Sequence, residues 1–254
     1  MPPPLDDLAT IAVGEPSIRR SNVLYLLLRR EQAIAAAERL SPRSEVSRIL
    51  DFAQAAYGDL VGALVGREDS LLDDARDGDW TLRDVLRHAI AVEIRYAAQV
   101  HYSATRIESD PVKIPPRLLP CDRLSPPEPE FARARAGGMR ELLELLGAAR
   151  AASDERLAQV SDSSLGRPSL WGEQVLDVRM RLHQIAVHLT ETSIQIGKIV
   201  GGSGELRAIV RHCCKTRGLH ERWSPAEERA LLDRSYRALS SQSRPVPEEG
   251  LEPS

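Results

Sequence analysis

The chain has 254 residues, a formal net charge of −3 and 42% hydrophobic residues. This hydrophobic content is enough for a sizeable core, so a wholly disordered chain is excluded. The near-neutral charge gives no bulk electrostatic reason to expect a nucleic acid or an anionic membrane as a partner. Aromatic residues make up only 4% of the chain, whereas Ala and Leu recur throughout. We therefore expect an all-α protein with a core of aliphatic helix faces.

The cysteines and the N-terminal segment indicate a cytoplasmic protein. Three cysteines, two of them adjacent at Cys213 and Cys214, are too few for a disulfide framework and favour reduced thiols. The first ten residues have neither the basic region nor the apolar stretch of a signal peptide. Purely apolar runs such as residues 26–28 are far shorter than the roughly 20 residues needed to cross a bilayer. No membrane is expected as a partner.

Residues 1–43 are predicted to form an N-terminal leader and one extra helix. Residues 1–16 carry four prolines and no strong periodicity, which indicates a loose segment. From residue 17 to about residue 40, apolar side chains recur near helical spacing. This extra helix is expected to end at the Ser41–Pro42 pair.

Residues 44–202 are predicted to form a bundle of four longer helices. The first begins near Ser44 and continues to about residue 64. The second has the clearest start signal, because Thr81 and Asp84 have the spacing of a capping box. This second helix is expected to continue to about Ser103.

The second half of the bundle follows a long connection. Residues 110–129 contain seven prolines and no periodicity, so we predict a loop, of the kind that often lies beside a functional opening. The third bundle helix is predicted for about residues 129–160, with the pair Gly137–Gly138 weakening its middle. The fourth is predicted for about residues 172–200.

Residues 203–240 are predicted to form a C-terminal helical extension, followed by a disordered tail over residues 241–254. The extension begins with a short basic helix, and a second helix opens at Ser224–Pro225. Its basic side chains could meet an anion or an acidic partner, although a solvated face is the more common explanation. They lack the interleaved aromatic residues that stack on nucleotides. These residues are Arg207, Arg211, Lys215, Arg217 and Arg222.

Two histidines occupy positions where a helical bundle would place metal ligands. Bundles build metal sites from side chains on facing helices. His88 lies on an apolar stripe of the second helix, and His188 lies on a stripe of the fourth. His183 precedes His188 by five residues, which turns it about 140° round the helix. It is therefore not expected to join the same site.

The two segments that contain these histidines resemble motifs of DinB/YfiT-like proteins. The segment from Trp80 to His88 reads WTLRDVLRH and resembles the start of that family's second helix, where a tryptophan precedes a capped helix with a metal-ligand histidine. The segment from His188 to Gln195 reads HLTETSIQ and resembles the fourth-helix motif. In that motif, two histidines spaced by four precede a small residue and a glutamine. The resemblance covers about residues 46–200 and implies a four-helix-bundle metalloprotein.

Carried over residue by residue, the resemblance implies a metal site with one changed position. His88 would be the first ligand and His188 the second, but the third ligand position falls on Thr192. A neutral threonine is a poor ligand for Zn²⁺ or Ni²⁺, which prefer imidazole, thiolate or carboxylate. Glu191 lies one turn from His188 and could replace the missing ligand, with Gln195 as a hydrogen-bonding support. The predicted Zn or Ni ligands are therefore His88, His188 and Glu191.

Three functional hypotheses follow from the resemblance. The first is an enzyme, because the family includes metal-dependent transferases and isomerases that use low-molecular-weight thiols; this implies a small-molecule or thiol substrate. The second is a bundle without a metal that serves as a binding or interaction module, which Thr192 favours. The third is an accessory protein of a stress response. A homodimer through an apolar outer helix face is compatible with the family.

Overall fold

The computed structural model describes residues 4–38, 43–74, 80–121, 128–171, 174–201, 204–220 and 226–242. These residues form nine α-helices and one small antiparallel hairpin, which confirms the all-α fold class. The helices are α1 Leu5–Val13, α2 Ile18–Glu38, α3 Glu45–Leu64, α4 Leu82–Thr105, α5 Glu128–Ala136, α6 Met139–Leu157, α7 Val178–Val200, α8 Glu205–His220 and α9 Ala226–Ser241. The strands are β1 Pro168–Trp171 and β2 Gln174–Asp177.

The four-helix bundle consists of α3, α4, α6 and α7, whose apolar faces form one continuous core. Helix α3 begins directly after Ser44, as predicted, and the Ser44 side chain accepts a hydrogen bond from the Ser47 N–H. Helix α4 begins after Thr81, whose hydroxyl oxygen accepts a hydrogen bond from the Asp84 N–H at 3.1 Å. Both predicted helix starts are confirmed, and the start of α4 places His88 on its second turn.

A second core joins the N-terminal and C-terminal helices to this bundle. Its buried side chains come mainly from α1, α2, α8 and α9, and include Leu24, Val210 and Tyr236. Helix α8 packs along α3 on one side and along α2 on another. The C-terminal extension therefore contacts the bundle through α8.

The N-terminal leader is more ordered than predicted. Residues 5–13 form α1, with Leu8, Ile11 and Ala12 buried on one face. The prediction of a loose segment was wrong because the prolines cluster at residues 2–4 and 16, outside the helix, where they do not interrupt its hydrogen bonds. The apolar face of α1 packs against α8 and α9, which are distant in sequence.

The predicted third bundle helix is two helices, α5 and α6, separated at Gly137–Gly138. The guanidinium of Arg83 donates to the Gly137 carbonyl oxygen at 2.6 Å, and an oxygen of Asp69 accepts from the Met139 N–H at 2.7 Å. A Cβ atom at Gly138 would lie 2.3 Å from the Asp69 carboxylate. The break is therefore fixed by side chains from other parts of the chain.

The predicted fourth bundle helix begins six residues later than expected. Helix α7 begins at Val178 after the cap Asp177, whose carboxylate accepts from the Met180 N–H at 2.8 Å. The residues before it form the hairpin, and β1 is tied to α4 by a buried hydrogen bond of 2.8 Å between the hydroxyls of Ser169 and Ser103. The earlier start was wrong because this long-range bond holds the segment in an extended conformation.

Several predicted features fall in less regular or undescribed parts of the chain. The predicted loop after α4 is confirmed as far as residue 121, with a short 3-10 turn at Pro116–Leu118. The predicted helix end at Ser41–Pro42, the helix start at Ser224–Pro225 and residues 243–254 of the predicted tail lie outside the described residues. No helix in the described part of the chain is long and apolar enough to span a membrane.

Candidate functional site

The two predicted ligand histidines lie side by side between α4 and α7. The ring centroids of His88 and His188 are 5.2 Å apart, with the planes tilted by 58°. Trp80, just before α4, meets the other side of His88 edge-on at 5.0 Å. Tyr96, two turns further along α4, lies 5.9 Å from the His188 ring. The sequence-predicted histidine pair is thus the middle of a row of four rings.

A cavity of about 500 Å³ opens beside this row. Its walls combine apolar side chains with neutral and charged polar groups. Besides the two histidines, they include Glu191, Thr192 and Gln195, which the sequence analysis named around the expected metal position. The lining residues are Trp80, Val85, His88, His188, Glu191, Thr192, Gln195, Lys198 and Ile199.

Thr192 stands where the resemblance implies a third ligand, and its hydroxyl already has a hydrogen-bond partner. The residue is buried, and its hydroxyl donates to the backbone carbonyl oxygen of His188 at 2.8 Å. A helical threonine commonly bonds in this way to the carbonyl one turn back. The hydroxyl of Thr192 therefore has its hydrogen-bond acceptor within α7, and it presents only a neutral oxygen to the cavity.

The side chains of this cavity do not fit a resident Zn²⁺ or Ni²⁺ ion. Glu191 and Gln195 line the cavity but are exposed to solvent. Within the described residues, no three or more His, Cys, Asp or Glu side chains are grouped so that they could hold a metal ion. The available donors are two imidazoles and the hydroxyl of Thr192, whereas zinc sites in proteins use three or four strong ligands. The predicted ligands His88, His188 and Glu191 thus line one cavity, but among the described residues they are not grouped as a metal site.

The protonation of the two histidines follows from their surroundings. Burial, the neighbouring His88 and the charge of Arg95 lower the pKa of His188 to about 4. Burial lowers the pKa of His88 as well, with a further contribution from Arg95. Both imidazoles are therefore neutral near pH 7, so each presents one hydrogen-bond donor and one acceptor.

A comparison with models of protein families identifies the family of the chain. The model of the DinB superfamily matches residues 49–191, which is more than half of the chain. The chain belongs to the DinB superfamily. The matched range contains both histidines and ends at Glu191, one residue before Thr192. No curated protein and no solved structure matches the chain.

One contributor to the site of this DinB-superfamily chain was missed by the sequence analysis. Arg181 is almost fully buried, and its guanidinium carbon lies 4.7 Å from the centroid of the Tyr96 ring. Its burial lowers its pKa. Arg181 precedes His188 by seven residues, which places both on the same face of α7, so the spacing could have identified it. A cation against the end of the ring row was missed because arginine is usually exposed.

His183 lies apart from the histidine pair, as predicted. Its ring is 6.1 Å from the ring of Phe52 on α3, and it borders a second cavity of about 440 Å³ between α3 and α7. Glu191 lines both cavities and therefore lies on the border between them.

The basic residues of α8 are largely used inside the protein. Arg207 donates to the carbonyl oxygen of Val65 at 2.5 Å, and Arg211 pairs with Asp59 at 2.7 Å. Arg217 is buried and lies 2.6 Å from Asp233. The interpretation as a solvated face is therefore wrong for Arg207 and Arg217, which are buried, whereas Arg211 is partly exposed. Of the other predicted members, Lys215 borders the second cavity and Arg222 lies outside the described residues.

The adjacent cysteines of α8 are structural. Both side chains are buried in the second core. Burial raises the pKa of Cys213 to about 12 and raises that of Cys214 as well. Because thiolates are the reactive form of cysteine, these thiols are inert near neutral pH. The two cysteines therefore serve as small side chains that pack the second core.

Proposed function

We propose that this member of the DinB superfamily binds a small molecule in the cavity beside His88 and His188, without a resident metal ion. The observation that carries the proposal is the bond from the Thr192 hydroxyl to the His188 carbonyl oxygen. It leaves the third ligand position neutral and internally satisfied, while the cavity around the position is kept open. The chain would then retain the location of a superfamily site but not its metal chemistry.

The walls of the cavity indicate the class of ligand. Its volume of about 500 Å³ is within the usual range for small-molecule sites, roughly 300–1,000 Å³. Trp80 and Ile199 offer apolar surface for a flat or compact hydrocarbon body. The neutral imidazoles offer donors and acceptors for an amide, hydroxyl or heteroaromatic nitrogen. The expected ligand is therefore an uncharged, ring-containing molecule with a hydrogen-bonding edge.

Binding fits the histidine pair better than proton transfer does. A general base works best when its pKa lies near the working pH. The pKa of His188 is about 4, so its imidazole is a weak base at neutral pH. A weakly basic, oriented imidazole suits a hydrogen bond to a bound ligand.

The second candidate is a metal-dependent transferase or isomerase that acts with a low-molecular-weight thiol. Membership of the superfamily and the adjacency of two neutral imidazoles favour it. It requires a third strong ligand, and Glu191 at the rim is the nearest candidate in sequence. Because Glu191 is exposed to solvent and is not grouped with the histidines as a metal site, we place the candidate second.

Fragment screening by ligand-observed NMR tests the first candidate. The probe is a library of uncharged heteroaromatic amides and alcohols, applied to the full chain treated with chelator. We expect a set of fragments that bind the wild type, lose binding to His188→Ala and retain binding to His183→Ala. The second variant removes a histidine of the same helix that lies outside the cavity. Fragments that bind all three proteins equally, or that bind only after zinc is added, would contradict the proposal.

A further inference from the structure

The second cavity lies in a groove between two parallel helices, α3 and α7. Near the start of both helices, Arg179 donates to Glu45 at 2.5 Å. Further along, the hydroxyl of Ser193 donates to Asp59 at 2.9 Å. Both pairs are 134 residues apart in sequence, so the two helices keep one register along the groove. The lining residues are Phe52, Ala55, Ala56 and Asp59 of α3, His183, Ala186, Val187, Thr190 and Glu191 of α7, and Lys215 of α8.

The end of the cavity that is nearer the helix starts is largely apolar. The rings of Phe52 and His183 lie there, 6.1 Å apart. Three buried alanines, Ala55, Ala56 and Ala186, add apolar wall, and their short side chains leave space between the helices. From Phe52 to Asp59 the cavity follows α3 for about 10 Å. This end therefore offers an aromatic and aliphatic surface to a hydrocarbon group of a ligand.

The opposite end of the cavity is charged, and one of its charges already has its partners. Asp59 accepts hydrogen bonds from Nε and Nη2 of Arg211, at 2.9 Å and 2.7 Å. Burial opposes the ionisation of Asp59, but hydrogen bonds from Arg211 and Ser193 lower its pKa, as does the charge of Lys215. Asp59 is therefore a carboxylate near pH 7, and its charge is balanced by Arg211.

Two further charges at this end have no ion-pair partner. Glu191 of α7 and Lys215 of α8 are exposed and both line the cavity. Neither forms an ion pair, with the other or with a third side chain, in the part of the chain that the structure describes. The walls therefore present one carboxylate and one ammonium group that are free to pair with charges of a ligand.

We propose that the second cavity binds a free α-amino acid with an apolar side chain. In such a ligand, a carboxylate, an ammonium group and a side chain share one carbon atom. Lys215 would bind the carboxylate and Glu191 the ammonium group, through charge-assisted hydrogen bonds. The side chain would extend toward Phe52. A ligand with a single charge would leave one of the two wall charges unpaired, whereas a zwitterion pairs both.

This site is separate from the ligand site proposed at the histidine pair. Its volume of about 440 Å³ is within the usual range for small-molecule sites, roughly 300–1,000 Å³. Glu191 lines both cavities, whereas Lys215 lines the second cavity and not the first. A substitution of Lys215 therefore tests the amino-acid site without changing the walls of the other.

Isothermal titration calorimetry of the full chain with L-phenylalanine and with L-leucine tests the site. We expect saturable binding to the wild type, and binding at least about tenfold weaker to Lys215→Met, which lacks one charge-assisted hydrogen bond. The matched control is Lys198→Met, which removes an exposed lysine that lines the first cavity and not the second, and it should bind as the wild type does. Absence of saturable binding at millimolar concentrations, or equal binding to Lys215→Met, would overturn the proposal.

Analogues with a single charge test the class of ligand. 2-Phenylethylamine lacks the carboxylate of L-phenylalanine, and 3-phenylpropionate lacks its ammonium group. We expect each to bind the wild type at least about tenfold more weakly than L-phenylalanine. An analogue that binds as tightly as the amino acid would refute recognition of a zwitterion.

A last variant separates the two cavities. His188→Ala changes the wall of the first cavity alone, so it should bind L-phenylalanine as tightly as the wild type does, even where it loses the fragments of the first site. Weaker binding of L-phenylalanine to His188→Ala would place the amino acid in the first cavity and contradict a site between α3 and α7.

Discussion

The α3–α8 interface and the histidine-pair cavity use space in opposite ways. At the α3–α8 interface the helices approach so closely that a Cβ atom at Gly58 would lie 2.3 Å from the Cys214 carbonyl oxygen. A Cβ atom at Gly218 would lie 2.2 Å from the carbonyl oxygen of Gln54. Between α4 and α7, by contrast, a volume of about 500 Å³ remains unfilled beside His88 and His188.

The closed interfaces and the cavity also differ in whether their polar groups have partners within the protein. In the closed regions charges have partners within the protein, such as Asp59 with Arg211 on α8 and Glu93 with Arg150 in the bundle core. In the cavity, by contrast, the neutral imidazoles of His88 and His188 line open space. Unfilled volume costs stability, because its lining loses packing contacts. The closed interfaces therefore maintain the fold, and the cavity is the place where the proposed ligand would bind.

The largest expected effect comes from the buried ion pair of the bundle core. Arg150 and Glu93 are each 1% exposed and lie 2.5 Å apart. Arg150→Met would leave the carboxylate buried without its cation, so we expect a loss of about 3–5 kcal/mol in the free energy of unfolding by urea denaturation. Arg140→Met removes an exposed pair with Glu144 and should leave this free energy almost unchanged. Equal effects would show that burial does not govern these pairs.

Adding one methyl group to the α3–α8 interface should have the next largest effect. Gly218→Ala places a Cβ atom against the backbone of α3, which cannot move without separating the helices, so we expect a loss of about 3 kcal/mol in urea denaturation. Gly197→Ala on α7 is the matched control, since nothing lies within 4 Å of its added Cβ atom. That change should stabilise the protein by up to about 1 kcal/mol through helix propensity. A tolerated Gly218→Ala would refute the close packing of α8 on α3.

A smaller effect is expected from the protonation of His188. The pKa of its imidazole is about 4 in the folded chain, against about 6.5 without burial. Between these values the unfolded chain binds a proton that the folded chain does not, so stability falls as the pH is lowered from about 6.5 to 4. Allowing for partial exposure, we expect this loss to be about 2 kcal/mol. Denaturation curves at several pH values should show it in the wild type, and His188→Asn should lack most of it.

The features that were predictable from the sequence are those set by local chemistry. Apolar periodicity located α3 and α4, and Thr81 fixed the start of α4 through a hydrogen bond three residues away. The stripe positions of His88 and His188 were enough to bring their rings together. Such signals need only residues one or two helical turns apart.

The features that were missed depend on contacts between distant parts of the chain. The break between α5 and α6 is held by Asp69 and Arg83, and the hairpin before α7 by Ser103. The arginines of α8 were interpreted as a solvent-exposed face because their partners, such as Asp59, lie far away in sequence. Glu191 was placed near the metal position by spacing alone, but spacing does not decide which rotamer the side chain adopts.

The most direct test of the proposed site is its metal content. Protein purified without an affinity tag or chelator is examined by elemental analysis, before and after dialysis against added zinc or nickel, together with His88→Ala and Thr192→His. We expect the wild type to hold far less than one ion per chain, and Thr192→His to gain stoichiometric uptake because it supplies a third imidazole one turn from His188. Near-stoichiometric zinc or nickel in the wild type that disappears in His88→Ala would contradict a metal-free ligand site and establish the metal-dependent alternative.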